Sequence, residues 1–346
     1  MENDMIRIGI ICPSEIAFRR FMPAIQKETR MQYVGVAYAT AEEWFGKQET
    51  VTQAQQAVID KEHEKAEKFR AAYGGCVFEG YQAILQSGEI DAVYLPLPPA
   101  LHYRWAKLAL EQNLHVLIEK PSTTCLADTE DLLEVAAQRG LAVHENYMFA
   151  YHSQLREVAD ALQAGVVGSV RLIRVDFGFP RRPAGDFRYV KALGGGALLD
   201  CGGYTLKYAD MLLGGQATLE YAHITPGTDC DVEIFGNAVL SGPDGAQVET
   251  AFGMDNDYRC SINVWGSTGT LVSNRILTAP DGFVPEYTIY RNGEAETVKM
   301  QPDDTFLKSL QYFVECVEDA QTRMAHYEEL RRQERLVDAF MQKAGM

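Results

Sequence analysis

The stretch from Asp91 to Thr124, DAVYLPLPPALHYRWAKLALEQNLHVLIEKPSTT, constrains the fold more than any other part of the chain. Its apolar run from Ala92 to Leu97 is short enough for a strand buried on both faces. Pro98-Pro99 ends that strand, and Pro99 suits the first turn of a helix, where the missing N–H is not needed. Leu101, Trp105, Leu108 and Ala109 then recur at i, i+4, i+7 and i+8, which predicts one apolar helical stripe. A second apolar run, Leu114 to Ile118, predicts a second strand and ends in Glu119-Lys120-Pro121. A βαβ unit follows. Its two charges stand at the carboxyl edge of the sheet, where open α/β sheets bind ligands.

These residues also carry a family likeness. The order strand, P-x-x-x-H, helix, HVLIEKP resembles the Gfo/Idh/MocA family of nicotinamide-dependent sugar oxidoreductases. The resemblance implies a Rossmann-like dinucleotide-binding domain over residues 1–146 and an α+β domain over 147–346. It implies NADP or NAD as cofactor, and it makes Lys120 of the E-K-P motif catalytic. Leu97, Pro98, His102, Glu119 and Lys120 form the cofactor-facing edge on this view, with His102 expected chiefly to hold its helix against the sheet.

The length of 346 residues suffices for two such cores. No apolar run approaches the roughly 20 residues a membrane-spanning helix needs, and MENDMIRIGII enters a strand directly, so a cytoplasmic protein is expected. The net charge of −16 argues against nucleic acid or an anionic membrane as partner. An anionic substrate such as a sugar nucleotide then needs local Arg or Lys. The seven cysteines are scattered without a C-x-x-C pair, which predicts free thiols and no metal site.

Met5 to Cys12 predicts the first strand, followed by PSEIAFRRFMPAI as a helix start. Where a dinucleotide-binding turn has glycines, this chain has Cys12 and Ser14, and Pro13 removes an N–H donor. Glu15 adds a carboxylate near the diphosphate position. A like charge 4 Å away at an effective dielectric of 20 costs about 4 kcal/mol, so Glu15 has to turn away or be offset by Arg19 or Arg20. The pattern Ile16-Ala17-Phe18-Arg19-Arg20-Phe21-Met22-Pro23-Ala24 resembles the NDP-hexose 3-ketoreductase subgroup, which keeps the first glycine. The altered turn therefore leaves cofactor binding open, and with it a redox-inactive sugar-binding or regulatory relative as the alternative function. The second strand, Tyr33 to Tyr38, ends in Tyr38-Ala39-Thr40, which is neither the acid of an NAD site nor the basic pair of an NADP site. Residues 41–65 are a polar insertion, expected to be helical and solvated, with Lys65 to Tyr73 as a separate surface helix.

From Val170 onwards, segments such as VRLIRVDFGF, VEIFGNAVLS and YRCSINVWGS predict consecutive strands, with turns at Pro243-Asp244-Gly245 and Asn292-Gly293. The sheet they form is expected to be large, open and mostly antiparallel, and the resemblance implies a homodimer or homotetramer through its open face. Gly194 to Tyr204 resembles the family's substrate-site motif, G-G-G-x-L-x-D-x-G-x-[HY], with Asp200 and Tyr204 facing one way on a helix. Ketone reduction requires a proton for the oxygen that becomes an alkoxide. Tyr204 supplies it on this view, its usual pKa of about 10 lowered by the Lys120 ammonium. Asp200 would orient sugar hydroxyls or hold Lys120, Arg188 would meet a phosphate, and His152 in ENYMFAYHSQ would touch the sugar. Together with the resemblance, these residues imply NAD(P)-dependent reduction of a ketone on a sugar or sugar nucleotide, such as an NDP-linked 3-ketohexose, or oxidation of the matching hydroxyl.

Overall fold

The computed structural model describes residues 5–183 and 185–346, and the chain divides into two compact units. One unit reaches to Thr123, resumes over Ala127–Asn146 and takes in Ser309–Tyr327. The other comprises Thr124–Leu126, Tyr147–Lys308 and Glu328–Met346.

The first unit begins with β1 (Ile6–Ile11), then a π-helical turn (Ala17–Phe21) running into α1 (Met22–Ile25). There follow β2 (Met31–Tyr38), α2 (Ala41–Phe45), α3 (Gln53–Tyr73), β3 (Cys76–Glu79) and α4 (Tyr81–Leu85). It continues with β4 (Ala92–Leu95), α5 (Pro99–Glu111), β5 (His115–Glu119), α6 (Leu126–Arg139) and β6 (Val143–Asn146). The six strands are all parallel in the order β3-β2-β1-β4-β5-β6. The order reverses between β1 and β4, and the crevice at their carboxyl ends is the switch point at which such sheets bind ligands.

Why these elements form is visible locally. Every residue of β4 is fully buried, as a strand covered on both faces requires. Thr52 caps α3 through a reciprocal pair with Gln55, and Gly74 at φ 74° ends it. The helix is therefore continuous from Gln53 to Tyr73, not an insertion ending at 65 followed by a second helix. It is not wholly solvated either, because Ile59, Glu62, Ala66 and Phe69 are buried along one face. In α5 the buried stripe is His102, Trp105, Ala106, Ala109 and Leu110. That is one position round from the Leu101–Leu108 stripe predicted by hydrophobicity, and His102 lies buried between two backbone carbonyls.

The second unit opens with α7 (Ser153–Gln163) and β7 (Val170–Gly178), then a π-helical turn (Leu198–Gly202) leading into α8 (Gly203–Leu212). Its further strands are β8 (Thr218–Pro226), β9 (Glu233–Ser241), β10 (Gln247–Gly253), β11 (Arg259–Gly266), β12 (Thr270–Asn274), β13 (Glu286–Arg291) and β14 (Glu294–Lys299). Helices α9 (Thr305–Glu318) and α10 (Ala320–Ala344) close the chain. The eight strands form one sheet in the order β14-β13-β12-β11-β7-β10-β9-β8, antiparallel except where β10 pairs with β7. Asn292 and Gly293 both have positive φ, the backbone a tight two-residue hairpin needs. On β11, Cys260, Ile262 and Val264 are buried while Trp265 is 63% exposed, so the strand has one apolar face and one open face. Among the described residues no helix is long and apolar enough to cross a membrane.

His115, at the start of β5, accepts the Ala142 N–H through Nδ1 at 2.9 Å, which requires that nitrogen to be unprotonated. Burial, and then the nearby Arg323 charge, push its pKa down to about 4 from 6.5. The unfolded state thus binds a proton that the folded state refuses between those values, so stability is lost as pH falls from about 6.5 toward 4. Denaturant unfolding at pH 7 and pH 5 should show this decline, and His115→Asn should flatten it.

Candidate active site

The turn after β1 keeps its shape without glycine. Cys12 sits at φ 79°, the left-handed region that glycine usually supplies. Its N–H donates to the Ala37 carbonyl at 3.0 Å, tying the turn to β2. Burial, with Glu62 nearby, pushes the thiol up to about 12, so it stays protonated. Ser14 caps the helix that follows: its Oγ accepts from Ala17 N at 3.2 Å and its carbonyl from Phe18 N at 3.0 Å. Glu15 and Ile16 then occupy the first helical positions, whose N–H groups have no acceptor within the helix. Those two N–H groups are the donors this turn has left for an anion, since Pro13 offers none. The Glu15 carboxylate is 3.6 Å from Arg19, and both side chains are mostly exposed. The like charge is thus offset locally. Tyr38 and Ala39, at the end of β2, are both buried.

At the carboxyl ends of β4 and β5 the polar groups are tightly organised. The His102 ring is fully buried, with Nδ1 2.8 Å from the Pro121 carbonyl and Nε2 2.8 Å from that of Leu97. Burial pushes its pKa down to about 4 against the pull of both carbonyls, and Lys120 lowers it further. A neutral ring donates to only one of the two. The predicted holding role of His102 is what the structure displays, and Leu97 takes part in it. Pro98 caps α5. Glu119 accepts from the Tyr94 hydroxyl at 2.6 Å and from the Asn146 amide at 2.6 Å. Burial lifts its carboxyl above the usual range, while these two donors and the adjacent Lys120 favour the charged form. Asn146 in turn accepts from Ser309 Oγ at 2.8 Å, and Ser309 meets His144 Nε2 at 2.9 Å. Lys120 is half-buried between Glu119 and the cis bond to Pro121. Tyr94, Asn146 and Ser309 were not anticipated. Tyr94 and Ser309 read as strand and helix filler, and only their placement reveals the chain of bonds.

In the second unit, Tyr204 on α8 is buried to 5% exposure. Its ring packs against Tyr147, Phe149 and Phe177 with centroids 5.0–5.4 Å away, and its hydroxyl lies 4.0 Å from the Met148 sulfur. Asp200 lies inside the π-helical turn, where the regular i, i+4 relation to Tyr204 does not apply. Its carboxylate meets Arg188 Nε at 2.7 Å. Arg188 is shared with Asp186 at 3.1 Å, so its charge is balanced by two carboxylates within the same unit. Lys207 stands 5.3 Å from the centre of the Tyr147 ring. His152, expected against a sugar, is 2% exposed and is the N-cap of α7, accepting from Gln154 N at 3.1 Å. Its Nδ1 thus serves as a helix cap and lies 3.9 Å from Asp303, while the buried Nε2 has no hydrogen-bond partner.

A sheet of this order, with a charged carboxyl edge and a second sheet-bearing unit, defines a dinucleotide-binding oxidoreductase. The family described as "Oxidoreductase family, NAD-binding Rossmann fold" matches residues 29–147, and the GFO/IDH/MocA C-terminal domain matches residues 155–272. Among curated proteins, dTDP-3,4-didehydro-2,6-dideoxy-alpha-D-glucose 3-reductase of Actinomadura kijaniata is 37% identical over 98% of this chain and 97% of its own. The enzyme of the same name from Streptomyces antibioticus is 33% identical over 99% of this chain and 98% of its own. Among solved structures, KijD10, a 3-ketoreductase from A. kijaniata in complex with NADP and TDP-benzene, superposes with a TM-score of 0.88 at 36% identity, covering 99% of this chain and 98% of that one. This chain belongs to the Gfo/Idh/MocA family. It is an NAD(P)-dependent oxidoreductase, and nothing in these likenesses supports the redox-inactive alternative.

The Glu119 contacts are testable. Tyr94→Phe removes one donor to the part-buried Glu119 carboxylate, an expected loss of about 1–3 kcal/mol at neutral pH. The loss should shrink in acid, where the carboxyl is protonated, and paired urea titrations at pH 8 and pH 4 would measure the difference.

Proposed function

We propose that the protein reduces the 3-keto group of a dTDP-linked deoxyhexose. The observation that carries this reading is full-length similarity to enzymes of that name, at 37% and 33% identity. A second observation supports the site. Variants of KijD10 have been solved in which a lysine is replaced by Ala or Glu and a tyrosine by Phe, and those two positions lie 84 residues apart. Lys120 and Tyr204 have the same separation here.

On this reading the first turn (Cys12, Ser14, Glu15, Ile16), the end of β2 (Tyr38, Ala39) and the edge at Leu97, Pro98 and Glu119 hold the cofactor. A reduced nicotinamide, when bound, supplies the hydride. Tyr204 gives its phenolic proton to the oxygen that gains negative charge. Its position among apolar rings excludes water from the donor. The Lys120 ammonium stabilises that oxygen and favours the phenolate left behind. Asp200 and Arg188, joined at 2.7 Å, present a polar edge for hydroxyl or phosphate groups. The substrate is a nucleotide-linked sugar rather than a free one, and the functional unit is a homo-oligomer built on the open face of the second sheet.

The test is turnover of a dTDP-3-ketohexose, followed by loss of reduced-nicotinamide absorbance. Lys120→Ala should lower kcat by roughly a thousandfold and Tyr204→Phe by roughly a hundredfold, as expected for lost electrostatic and general-acid terms. Circular dichroism should stay unchanged in both. Full activity in Lys120→Ala would overturn the assignment.

A further inference from the structure

The choice between NAD and NADP is made beside the end of β2, where an acid suits the ribose 2′-hydroxyl and a cation suits a 2′-phosphate. Tyr38-Ala39-Thr40 carries neither, but the fold brings acids to that point from other elements. Glu43 on α2 turns its carboxylate back onto the strand end. Oε2 accepts from Thr40 N and Tyr81 N, each at 2.9 Å, and Oε1 accepts from Gln82 N at 2.9 Å. Three backbone N–H groups converging on one point make an anion site, and here the chain's own carboxylate fills it. The Thr40 hydroxyl is engaged too, accepting from Glu43 N at 3.2 Å. Glu79 is paired in register with Tyr38 across β2 and β3 and bonds the Tyr38 phenol, whose pKa is raised by burial and then by this carboxylate.

Several cations of the neighbouring elements are committed elsewhere. On α3, which borders this edge by stacking His63 on Tyr38 at 4.9 Å, His63 and Arg70 both face Glu67, and Lys65 is bound to Glu62. Arg19 faces Glu15.

We infer that this chain selects NADH over NADPH, with Glu43 as the principal determinant and Glu79 as its support. A 2′-phosphate would have to displace the Glu43 carboxylate from its three amides and would still face the Glu79 charge. A 2′-hydroxyl meets only acceptors. The solved relative carries NADP, so the preference is expected to differ between the two. The inference rests on the proposed function only in requiring a nicotinamide dinucleotide in the β1–β4 crevice.

The experiment is titration of NADH and of NADPH into the purified full-length protein, followed by nicotinamide fluorescence, without substrate or turnover. The wild type should bind NADH roughly tenfold more tightly or better, the scale of one uncompensated charge at a partly solvated site. Glu43→Gln should narrow that ratio severalfold, through tighter NADPH binding with NADH little changed. Should that variant fail to fold, Glu79→Gln should narrow the ratio in the same sense, since no backbone amide depends on it. NADPH binding to the wild type as tightly as NADH, or a ratio unmoved in folded variants, would overturn the inference and leave the reductase reading standing. Binding of neither cofactor to folded protein would overturn both.

Discussion

One buried imidazole sets the geometry of the first unit's carboxyl edge. His102 stands on the first turn of α5 between the carbonyls of Leu97 and Pro121, so a single ring spans the loops that follow β4 and β5. A buried carbonyl without a donor costs about 1–3 kcal/mol. The neutral ring donates its one N–H to one of these carbonyls, and its other nitrogen, an acceptor, makes no hydrogen bond to the second. Lys120 lies next to the restrained Pro121, and Glu119 on its other side is held by Tyr94 and Asn146. The lysine is thereby anchored at its base. On the proposed mechanism, that footing lets its charge meet a developing anion without reorganising.

The electrostatics follow the same economy. With 48 acidic and 32 basic residues, the chain cannot rely on a diffuse positive field to receive an anionic ligand. Cations in each unit are instead matched to particular carboxylates: Arg19 to Glu15 in the first, and Arg188 to Asp186 and Asp200 in the second. Carboxylates also act as internal anions, Glu43 closing the end of β2 and Glu145 accepting the Ser122 amide at 2.8 Å. Each holds a loop through backbone N–H groups, so the acidic surplus is partly structural.

Much of the architecture was legible because buried strands leave strong traces. β4 is a continuous apolar run, and β1 and β5 are nearly so, as strands of a doubly covered parallel sheet are. Asn292-Gly293 announces a hairpin because few other residue pairs adopt positive φ twice in succession. The parts that escaped depend on polar groups whose partners lie far away in sequence. His102 displaced the apolar stripe of α5, and α9 supplied Ser309 to a chain of bonds ending at Glu119, 190 positions earlier. Asp200 and Tyr204 looked like one face of a regular helix until a π-helical turn came between them. β12 went unannounced as a strand of its own, being five residues long in a stretch rich in glycine and serine.

By itself, the sequence determined the two-part α/β and α+β organisation, the βαβ unit ending at Lys120, and the family motifs at Glu119-Lys120-Pro121 and Gly194 to Tyr204. These rest on hydrophobic periodicity and local backbone preference, which act between near neighbours. Only the tertiary structure decided which acids ring the end of β2, which ring bridges Leu97 and Pro121, and which residues hold Glu119. Those outcomes depend on hydrogen bonds and charges meeting across elements dozens of residues apart, and no spacing within one element encodes them.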